Sequence, residues 1–188
     1  KVILITGSCG LIGSESVKFF SKKNYKIIGI DNNLRKYFFG KDGNTSWKKK
    51  ELLKDFNYRH YHTDIRNFKS LKKIFKKYKS YIKGIIHCAA QPSHDWAAKE
   101  PLTDFGVNAN GTHNLLELTR LYCSKAVFIF ASTNKVYGDF PNKNIALKET
   151  KLRFTPKNLK KYLKGIDENM SIDNSTHSVF GASKVAAD

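Results

Sequence analysis

The pattern with the most specific chemistry is a glycine-rich segment, Thr6–Gly13, close to the start of the chain. It follows the apolar run Val2–Thr6 and leads into a helical pattern, so it predicts a tight turn from a strand into a helix. Glycine in such a turn lets the backbone approach a pyrophosphate, whose charge then meets the free amides of the helix N-terminus. The segment therefore predicts a dinucleotide-binding loop. Its glycines are Gly7, Gly10 and Gly13, and the other loop residues expected at the cofactor are Cys9, Leu11 and Ile12.

An acidic residue at the end of the second apolar run, Asp31, bears on which dinucleotide is bound. It lies about twenty residues after the loop, where a carboxylate accepts hydrogen bonds from both hydroxyls of the adenosine ribose. Such a carboxylate repels a 2′-phosphate, which favours NAD over NADP. The nearby Arg35 could instead accommodate that phosphate, so NADP stays open as the alternative. Asn32 and Asn33 are expected at the same ribose.

The elements that would position these residues alternate between short apolar runs and helical patterns. The expected strands are Val2–Thr6, Lys26–Asp31, Tyr58–Thr63, Gly84–Cys88 and Ala126–Ala131, and the expected helices are Leu11–Lys23, Asn67–Lys79, Pro101–Tyr122 and one that begins near Ser178. Continuous apolar strands separated by helices are typical of a parallel sheet with helices on both faces. The predicted fold class is therefore α/β, a Rossmann-type doubly wound parallel sheet.

Some segments carry further expectations. Leu34–Asn57 is long for a connection and rich in aromatic residues, so we expect an ordered insertion. Asp139–His177 is a second long, polar excursion. The chain stops at Asp188 inside the last helix, so we expect a fragment of a longer protein. In the first helix, the residues expected to face the core are Leu11, Ile12, Val17, Phe19 and Phe20.

Composition limits the class of protein. The 188 residues fit one domain, and the apolar runs are too short to cross a bilayer. The three cysteines, Cys9, Cys88 and Cys123, lack the spacing of a disulfide framework or a metal site. No charged-then-apolar leader precedes the first strand. We therefore expect a reduced, cytoplasmic protein without a metal or a membrane span.

A net charge of +18, from 34 basic and 16 acidic residues, raises the question of nucleic-acid binding. Only five of the bases are arginines, the residue that makes forked contacts with bases and phosphates. In the Asn67–Lys79 helix the lysines alternate with apolar residues, as on a solvated helix face. We therefore expect no nucleic-acid partner.

Together with four later segments, the glycine spacing resembles the extended short-chain dehydrogenase/reductase family, the NAD-dependent nucleotide-sugar epimerases and dehydratases. The segments are Asp64-Ile65, His87-Cys88-Ala89-Ala90-Gln91, Asn108 and Ser132-Thr133-Asn134-Lys135-Val136-Tyr137-Gly138. The resemblance implies that Asp64 and Ile65 meet the adenine and that Thr133 is the catalytic Ser/Thr. The residues implied along the rest of the cofactor site are Cys88, Ala89, Ala90, Gln91, Asn108 and Ser132.

The chain departs from the family at its Tyr-x-x-x-Lys motif, which here is Phe180-Gly181-Ala182-Ser183-Lys184. Positions i and i+4 share a helix face, so Lys184 can still bind the nicotinamide ribose. Phe180 keeps the aromatic ring of the tyrosine but lacks its acid/base oxygen. The proton acceptor is therefore unassigned, with His94 or Asp95 first, then His177, and with Tyr137 as a further polar neighbour.

The resemblance implies an epimerase that oxidises a sugar carbon transiently and returns the hydride to its other face. Within the family, Asp64–Asn67 and Ser132–Asp139 resemble the enzymes that epimerise CDP-sugars at C2. A 4-epimerase or a 4,6-dehydratase is the alternative, although Asn134-Lys135 stands where dehydratases have an acidic pair. Because Phe180 occupies the tyrosine position, a non-catalytic NAD-binding protein is the second alternative.

The resemblance covers the chain as the first half of such an enzyme. We therefore expect residues 1–188 to form the NAD-binding domain without a substrate lobe, and to show no turnover alone. A homodimer through the Pro101–Tyr122 helix and the last helix is also implied.

Overall fold

The computed structural model describes residues 1–188 and is built around five parallel strands. The strands are β1 (Val2–Thr6), β2 (Lys26–Ile30), β3 (Tyr58–Tyr61), β4 (Ile82–His87) and β5 (Val127–Phe130). Their order in the sheet is β3-β2-β1-β4-β5, and every neighbouring pair is parallel. The chain therefore moves outward from β1 in both directions, which is the doubly wound arrangement. This confirms the predicted fold class.

Helices connect these strands. They are α1 (Leu11–Lys22), α2 (Arg35–Phe39), α3 (Ser46–Leu52), α4 (Phe68–Tyr78), α5 (His94–Lys99), α6 (Pro101–Phe105), α7 (Gly111–Tyr122), α8 (Phe140–Asn144) and α9 (Val179–Ala187). Shorter turns of helix lie at Gly40–Gly43, Lys79–Tyr81, Gly106–Asn110 and Asn134–Tyr137. The side chains of Asn67 and Ser178 cap α4 and α9 by accepting from Ser70 N and Gly181 N, as the sequence predicts for both helix starts.

The core has two halves, one on each face of the sheet. On one face, α4 and α7 contribute the buried Leu71, Phe75 and Leu115 against β1 and β4. On the other face, Val17 of α1 and Leu52 of α3 pack with Ile3, Ile5 and Ile27. Alternate residues of each strand therefore serve opposite halves, which explains why the central strands are apolar throughout.

The inward orientation expected for Leu11, Ile12 and Phe19 is wrong. Leu11 is 81% exposed and Ile12 is 60% exposed, and Phe19 also faces solvent. The residues of α1 that are buried are Gly13, Ser14, Val17 and Ser21. Because most of these side chains are small, α1 lies close to the sheet, and the larger residues lie outside the contact.

Two further elements differ from expectation. The helical segment expected at Pro101–Tyr122 is present with those bounds, but its middle turn, Gly106–Asn110, is π-helical and lies between α6 and α7. Strand β5 is at the edge of the sheet, and its Val127 is 63% exposed and its Ile129 is 52% exposed. Helices therefore cover both faces of the sheet only in its centre.

The insertion Leu34–Asn57 is ordered, as predicted, and contains α2 and α3. Its start is fixed by Asn33, whose side-chain oxygen accepts from Thr45 N at 2.9 Å. Tyr37 of α2 donates a hydrogen bond to Glu100 at 2.5 Å and packs on Trp96 with ring centroids 5.7 Å apart. We call this contact between α2 and α5 the strap. The other long segment, Asp139–His177, contains α8 and the antiparallel pair β6 (Leu147–Glu149) and β7 (Phe154–Pro156).

None of the helices combines the length and the apolar character that a membrane span requires.

Phe75 offers a direct test of the core. Its side chain is fully buried, so Phe75→Ala should lower the free energy of unfolding by about 3–5 kcal/mol through lost burial and the cavity left behind. The matched control is Phe56→Ala, because Phe56 is 94% exposed and its loss should change stability by less than about 0.5 kcal/mol. Urea unfolding measures both, and equal effects would contradict the assigned core.

Candidate functional site

A groove of about 240 Å³ lies at the carboxyl ends of β1, β2 and β4, where doubly wound sheets bind ligands. The predicted cofactor residues that line it are Gly7, Gly10, Leu11, Ile12, Gly13, Asp31, Asn32, Arg35, Asp64, Ile65, Cys88, Ala89 and Ala90. Residues that the sequence did not single out also line it, namely Ile30, Leu34, Thr45, Thr63, Pro92, Val107 and Ala131. The structure therefore brings together segments that are far apart in the chain.

The floor of the groove has no room for side chains at two glycines. A Cβ atom on Gly13 would lie 2.1 Å from the carbonyl oxygen of Gly7. Gly7 has a φ of +64°, and a Cβ there would lie 2.7 Å from the backbone nitrogen of Ala89. The loop is therefore wedged between α1 and the segment after β4, with its backbone exposed to the groove. Such a cradle fits a pyrophosphate.

The carboxylate of Asp31 is held by the backbone at the β2 side of the groove. One oxygen accepts from Cys9 N at 3.0 Å and the other accepts from Asn33 N at 2.7 Å. The side-chain amide of Asn32 donates to Asp64 at 3.0 Å, and Arg66 also donates to Asp64, at 2.7 Å. Burial raises the pKa of Asp64, but the hydrogen bonds from Arg66 outweigh it and hold that pKa below its usual value. The Asp64 carboxylate is therefore ionised near neutral pH, and hydrogen bonds hold both carboxylates in fixed orientations.

Several predicted cofactor residues lie outside this groove. Cys9 and Asn33 line a second cavity of about 500 Å³ on the other side of Asp31, and burial raises the pKa of the Cys9 thiol to about 11. Gln91 and Asn108 are buried below the groove. Ser132 donates to Asp188 at 2.9 Å. These side chains therefore do not line the groove itself, and their contact with the cofactor stays a prediction.

Gln91 and Asn108 belong to a buried polar network that includes Asp104, a residue that the sequence analysis missed. One oxygen of Asp104 accepts from Gln91 Nε2 at 2.8 Å and from Asn108 Nδ2 at 3.1 Å. Asn108 also donates to Ser183 at 3.1 Å, next to Lys184. The other oxygen of Asp104 has no partner, and burial raises the pKa of this carboxyl group. Its sequence context, Leu102-Thr103-Asp104-Phe105, contains no signal for such a role.

His87, at the end of β4, forms a directed chain of hydrogen bonds beneath the site. Thr112 donates to the carbonyl of Asn108 at 2.6 Å, so its oxygen is left to accept from His87 Nε2 at 2.8 Å. Thr6 accepts from Ala89 N and then donates to His87 Nδ1 at 2.6 Å. Thr112 thus fixes Nε2 as a donor, and in the neutral ring Nδ1 then accepts from Thr6. Burial lowers the pKa of His87 to about 3, in agreement with the neutral form.

Phe180 and Lys184 lie on α9 at the β5 end of the groove. Lys184 Nζ donates to the carbonyl of Ala131 at 2.9 Å and lies 4.2 Å from the ring centroid of Phe130. Burial lowers the pKa of this ammonium group. A Cβ atom on Gly181 would lie 2.9 Å from the carbonyl oxygen of Lys135. The helix is therefore in close contact with the turn Asn134–Tyr137, which Thr133 caps.

The three candidates for the missing acid/base group lie in different surroundings. The His94 ring is 5.5 Å from the ring of Phe180, and its Nε2 is 3.3 Å from Ser178 Oγ. Asp95 is exposed on the first turn of α5. The two ring nitrogens of His177 face the carbonyls of Val136 and Ser175 at 2.8 and 3.1 Å. Among the three, the structure brings His94 against Phe180.

Comparison with known proteins agrees with this geometry. The model of the family described as GDP-mannose 4,6 dehydratase matches residues 4–159. The chain is 36% identical over 186 residues to CDP-paratose 2-epimerase of Salmonella typhi, an alignment that covers 99% of this chain and 50% of that protein. The chain thus spans about half the length of this relative.

Solved structures show the same fold. The UDP-Glc/GlcNAc 4-epimerase from Campylobacter jejuni matches with a TM-score of 0.71 at 22% identity, over 100% of this chain and 46% of that one. The dTDP-glucose 4,6-dehydratase from Bacillus anthracis, in complex with NAD, matches with a TM-score of 0.66 at 26% identity, over 100% of this chain and 48% of that one.

The sheet order, the glycine loop and the groove define a Rossmann-type dinucleotide-binding domain. With the matching family model, the chain belongs to the family of NAD-dependent nucleotide-sugar epimerases and dehydratases. The resemblance stated from the sequence is confirmed.

The neutral state of His87 predicts a pH dependence of stability. An unfolded histidine titrates near pH 6.5, whereas the folded His87 titrates at about 3. Between these values the unfolded chain binds the extra proton, so the free energy of unfolding should fall as pH is lowered from about 6.5, by up to about 1.4 kcal/mol per pH unit. His60, whose pKa burial lowers to about 4, adds to the slope.

His87→Gln keeps a donor and an acceptor but cannot titrate. Urea unfolding is measured at about pH 7, 6 and 5, on both sides of the ordinary imidazole pKa. The free energy of unfolding should depend less steeply on pH in this variant than in the parent. His113→Gln is the matched control, because His113 is exposed on α7. A slope unchanged in His87→Gln would contradict the buried neutral state.

Proposed function

We propose that the protein is an NAD-dependent nucleotide-sugar epimerase that inverts C2 of a CDP-sugar by transient oxidation to a ketone. The observation that carries the proposal is the similarity to a CDP-paratose 2-epimerase over nearly the whole chain. The groove agrees with it, because the glycine cradle and Asp31 line it and Lys184 donates to Ala131, another of its lining residues.

The residues of the groove fit NAD. The backbone at Gly7 and Gly13, where no Cβ can be accommodated, would hold the pyrophosphate, and Asp31 would accept from the ribose hydroxyls. Asp64 and Ile65 line the part of the groove assigned to the adenine. NAD bound there would supply a hydride acceptor for the sugar that is regenerated in each turnover.

The chain's own residues would bind and orient the reactants. Lys184, now hydrogen-bonded to Ala131, would turn to the nicotinamide ribose. Thr133 has only long hydrogen bonds, at 3.4 Å, to Asn134 and Lys135. Its hydroxyl is therefore free to bind the reacting hydroxyl of the sugar.

The alternative reactions in the same family are 4-epimerisation and 4,6-dehydration. Asn134 and Lys135 occupy the position of the acidic pair of dehydratases, which disfavours dehydration. Phe180 favours the other alternative, a non-catalytic NAD-binding protein. Because the chain spans 50% of the 2-epimerase it matches, we assign residues 1–188 to the cofactor domain and most sugar contacts to the other half of such proteins. Turnover by this chain alone is not expected.

A homodimer is part of the proposal. Leu116 and Leu121 of α7 and Val179 of α9 are exposed apolar residues on the helices that the family resemblance implies in dimer contact. The cytoplasmic location and the lack of a nucleic-acid partner stay predictions.

Asp31 should set the cofactor preference. A hydrogen bond to a charged group contributes about 1.5–3 kcal/mol, so we expect NAD to bind at least about tenfold more tightly than NADP and Asp31→Ser to reduce this ratio. Titration calorimetry measures both affinities, with Asp42→Ser as the control because Asp42 is exposed. Tighter binding of NADP by the parent would show that Arg35 outweighs Asp31.

The reaction is tested in the complete natural protein. Loaded with NAD, it is incubated with CDP-, UDP-, GDP- and dTDP-sugars, and proton NMR identifies the product. We expect inversion at C2 of a CDP-sugar. Inversion at C4 or loss of water would establish an alternative reaction, and no turnover of any sugar despite tight NAD binding would establish the non-catalytic one.

A further inference from the structure

We propose that His94 accepts and returns the proton of the reaction, in place of the tyrosine hydroxyl that Phe180 lacks. The inference rests on the proposed function and concerns the same site. It follows from a contact between two segments 86 residues apart in the sequence, the start of α5 and the start of α9.

The site retains the framework around the missing hydroxyl. Phe180 is buried in the first turn of α9, and Lys184 follows it one turn later. Gly181 keeps this helix against the turn that Thr133 caps. Phe180 and Lys184 therefore occupy the tyrosine and lysine positions of the family motif. The site lacks only the tyrosine hydroxyl, which is the proton acceptor.

His94 supplies an imidazole at this point. Its ring centroid lies 5.5 Å from that of Phe180, with the planes inclined at 52°. Ser178 Oγ accepts from Gly181 N, so its own proton can be donated to His94 Nε2 at 3.3 Å. A donor at Nε2 favours the tautomer whose lone pair at that nitrogen faces the start of α9. This contact is long, and a sugar hydroxyl can replace it.

The buried network holds Ser93, the residue that precedes His94. Ser93 caps α5 by accepting from Trp96 N, and Gln91 Nε2 donates to the carbonyl of Ser93 at 2.8 Å. The same nitrogen of Gln91 donates to Asp104. Through Asn108, the network also reaches Ser183 on α9. Asp104 is thus a positioning residue that connects the helix of His94 to the helix of Phe180.

The other candidates are less suited. Both nitrogens of His177 face backbone carbonyls, so neither offers a lone pair to a substrate. Lys184 donates to Ala131 and is assigned to the ribose. The hydroxyl of Thr133 is no more acidic than that of a sugar. Asp95, on the same helix as His94, is exposed and forms no hydrogen bond or ion pair with α9.

The proton balance is complete with His94. In the oxidation, the sugar carbon loses a hydride to the nicotinamide and its hydroxyl loses a proton to His94 Nε2, which leaves a ketone and an imidazolium. In the return step, the hydride adds to the opposite face of the ketone, and the imidazolium gives its proton to the oxygen. No further oxidant or base is required.

The test replaces His94 by glutamine in the complete natural protein, with His113→Gln as the matched control. Loss of a general base lowers the rate by about a hundred- to ten-thousand-fold. We expect single-turnover hydride transfer, followed by nicotinamide absorbance, to fall within that range in His94→Gln. The Kd for NAD, measured by calorimetry, should stay within about twofold of the parent because His94 does not line the groove assigned to NAD. His113→Gln should match the parent in both.

A rate in His94→Gln within about threefold of the parent would overturn the inference, since base loss costs far more. So would a fall matched by an equal loss of NAD binding, because that pattern indicates a structural role. A parent protein that turns over no sugar would instead count against the proposed function itself.

The second variant adds Phe180→Tyr to His94→Gln. The phenol then stands four residues before Lys184, as in the family motif, and should recover at least tenfold of the lost rate. Recovery by Phe180→Tyr distinguishes lost proton transfer from lost packing, because the added hydroxyl does not rebuild the imidazole contact. No recovery would contradict the position assigned to the proton acceptor.

Discussion

The close approach of two backbone segments at the glycine loop is the constraint on which the rest of the site depends. No side chain fits at Gly13 against Gly7 or at Gly7 against the segment after β4. Because these contacts are made by backbone atoms, α1, β1 and the end of β4 have a fixed relative position. One groove is consequently surrounded by the amides of the loop, the carboxylate of Asp31 and Pro92, which lies just before α5.

Below the groove, buried polar groups fix how the segments lie relative to one another, which non-directional apolar packing does not do. The chain through His87 allows only one direction for each hydrogen bond, and the network of Gln91, Asp104 and Asn108 joins α5, α6 and α9. Buried polar groups are costly when unpaired, so these segments are held in one relative arrangement. The geometry of Phe180, Lys184 and His94 depends on that arrangement more than on any contact among the three.

The sequence was sufficient where local chemistry decides the outcome. The glycine loop, Asp31, the helix starts at Asn67 and Ser178 and the sheet follow from local patterns. The inward orientation predicted for Leu11, Ile12 and Phe19 is wrong, because hydrophobicity alone does not show which neighbour, if any, covers a side chain. Asp104 was missed for a related reason: its partners come from distant segments. The proximity of His94 and Phe180 is likewise tertiary, so sequence reasoning offered it only as one of several alternatives.

The strap between α2 and α5 has a consequence for how a bound molecule leaves. Leu34 and Arg35, at the start of α2, line one side of the groove, and Pro92, just before α5, lines another. The strap joins these two helices. Widening the groove between these sides has to break the hydrogen bond of Tyr37 with Glu100 and separate its ring from Trp96. The strap thus opposes widening along this path, and the reaction proposed above, which regenerates its cofactor, does not require the groove to widen in each turnover.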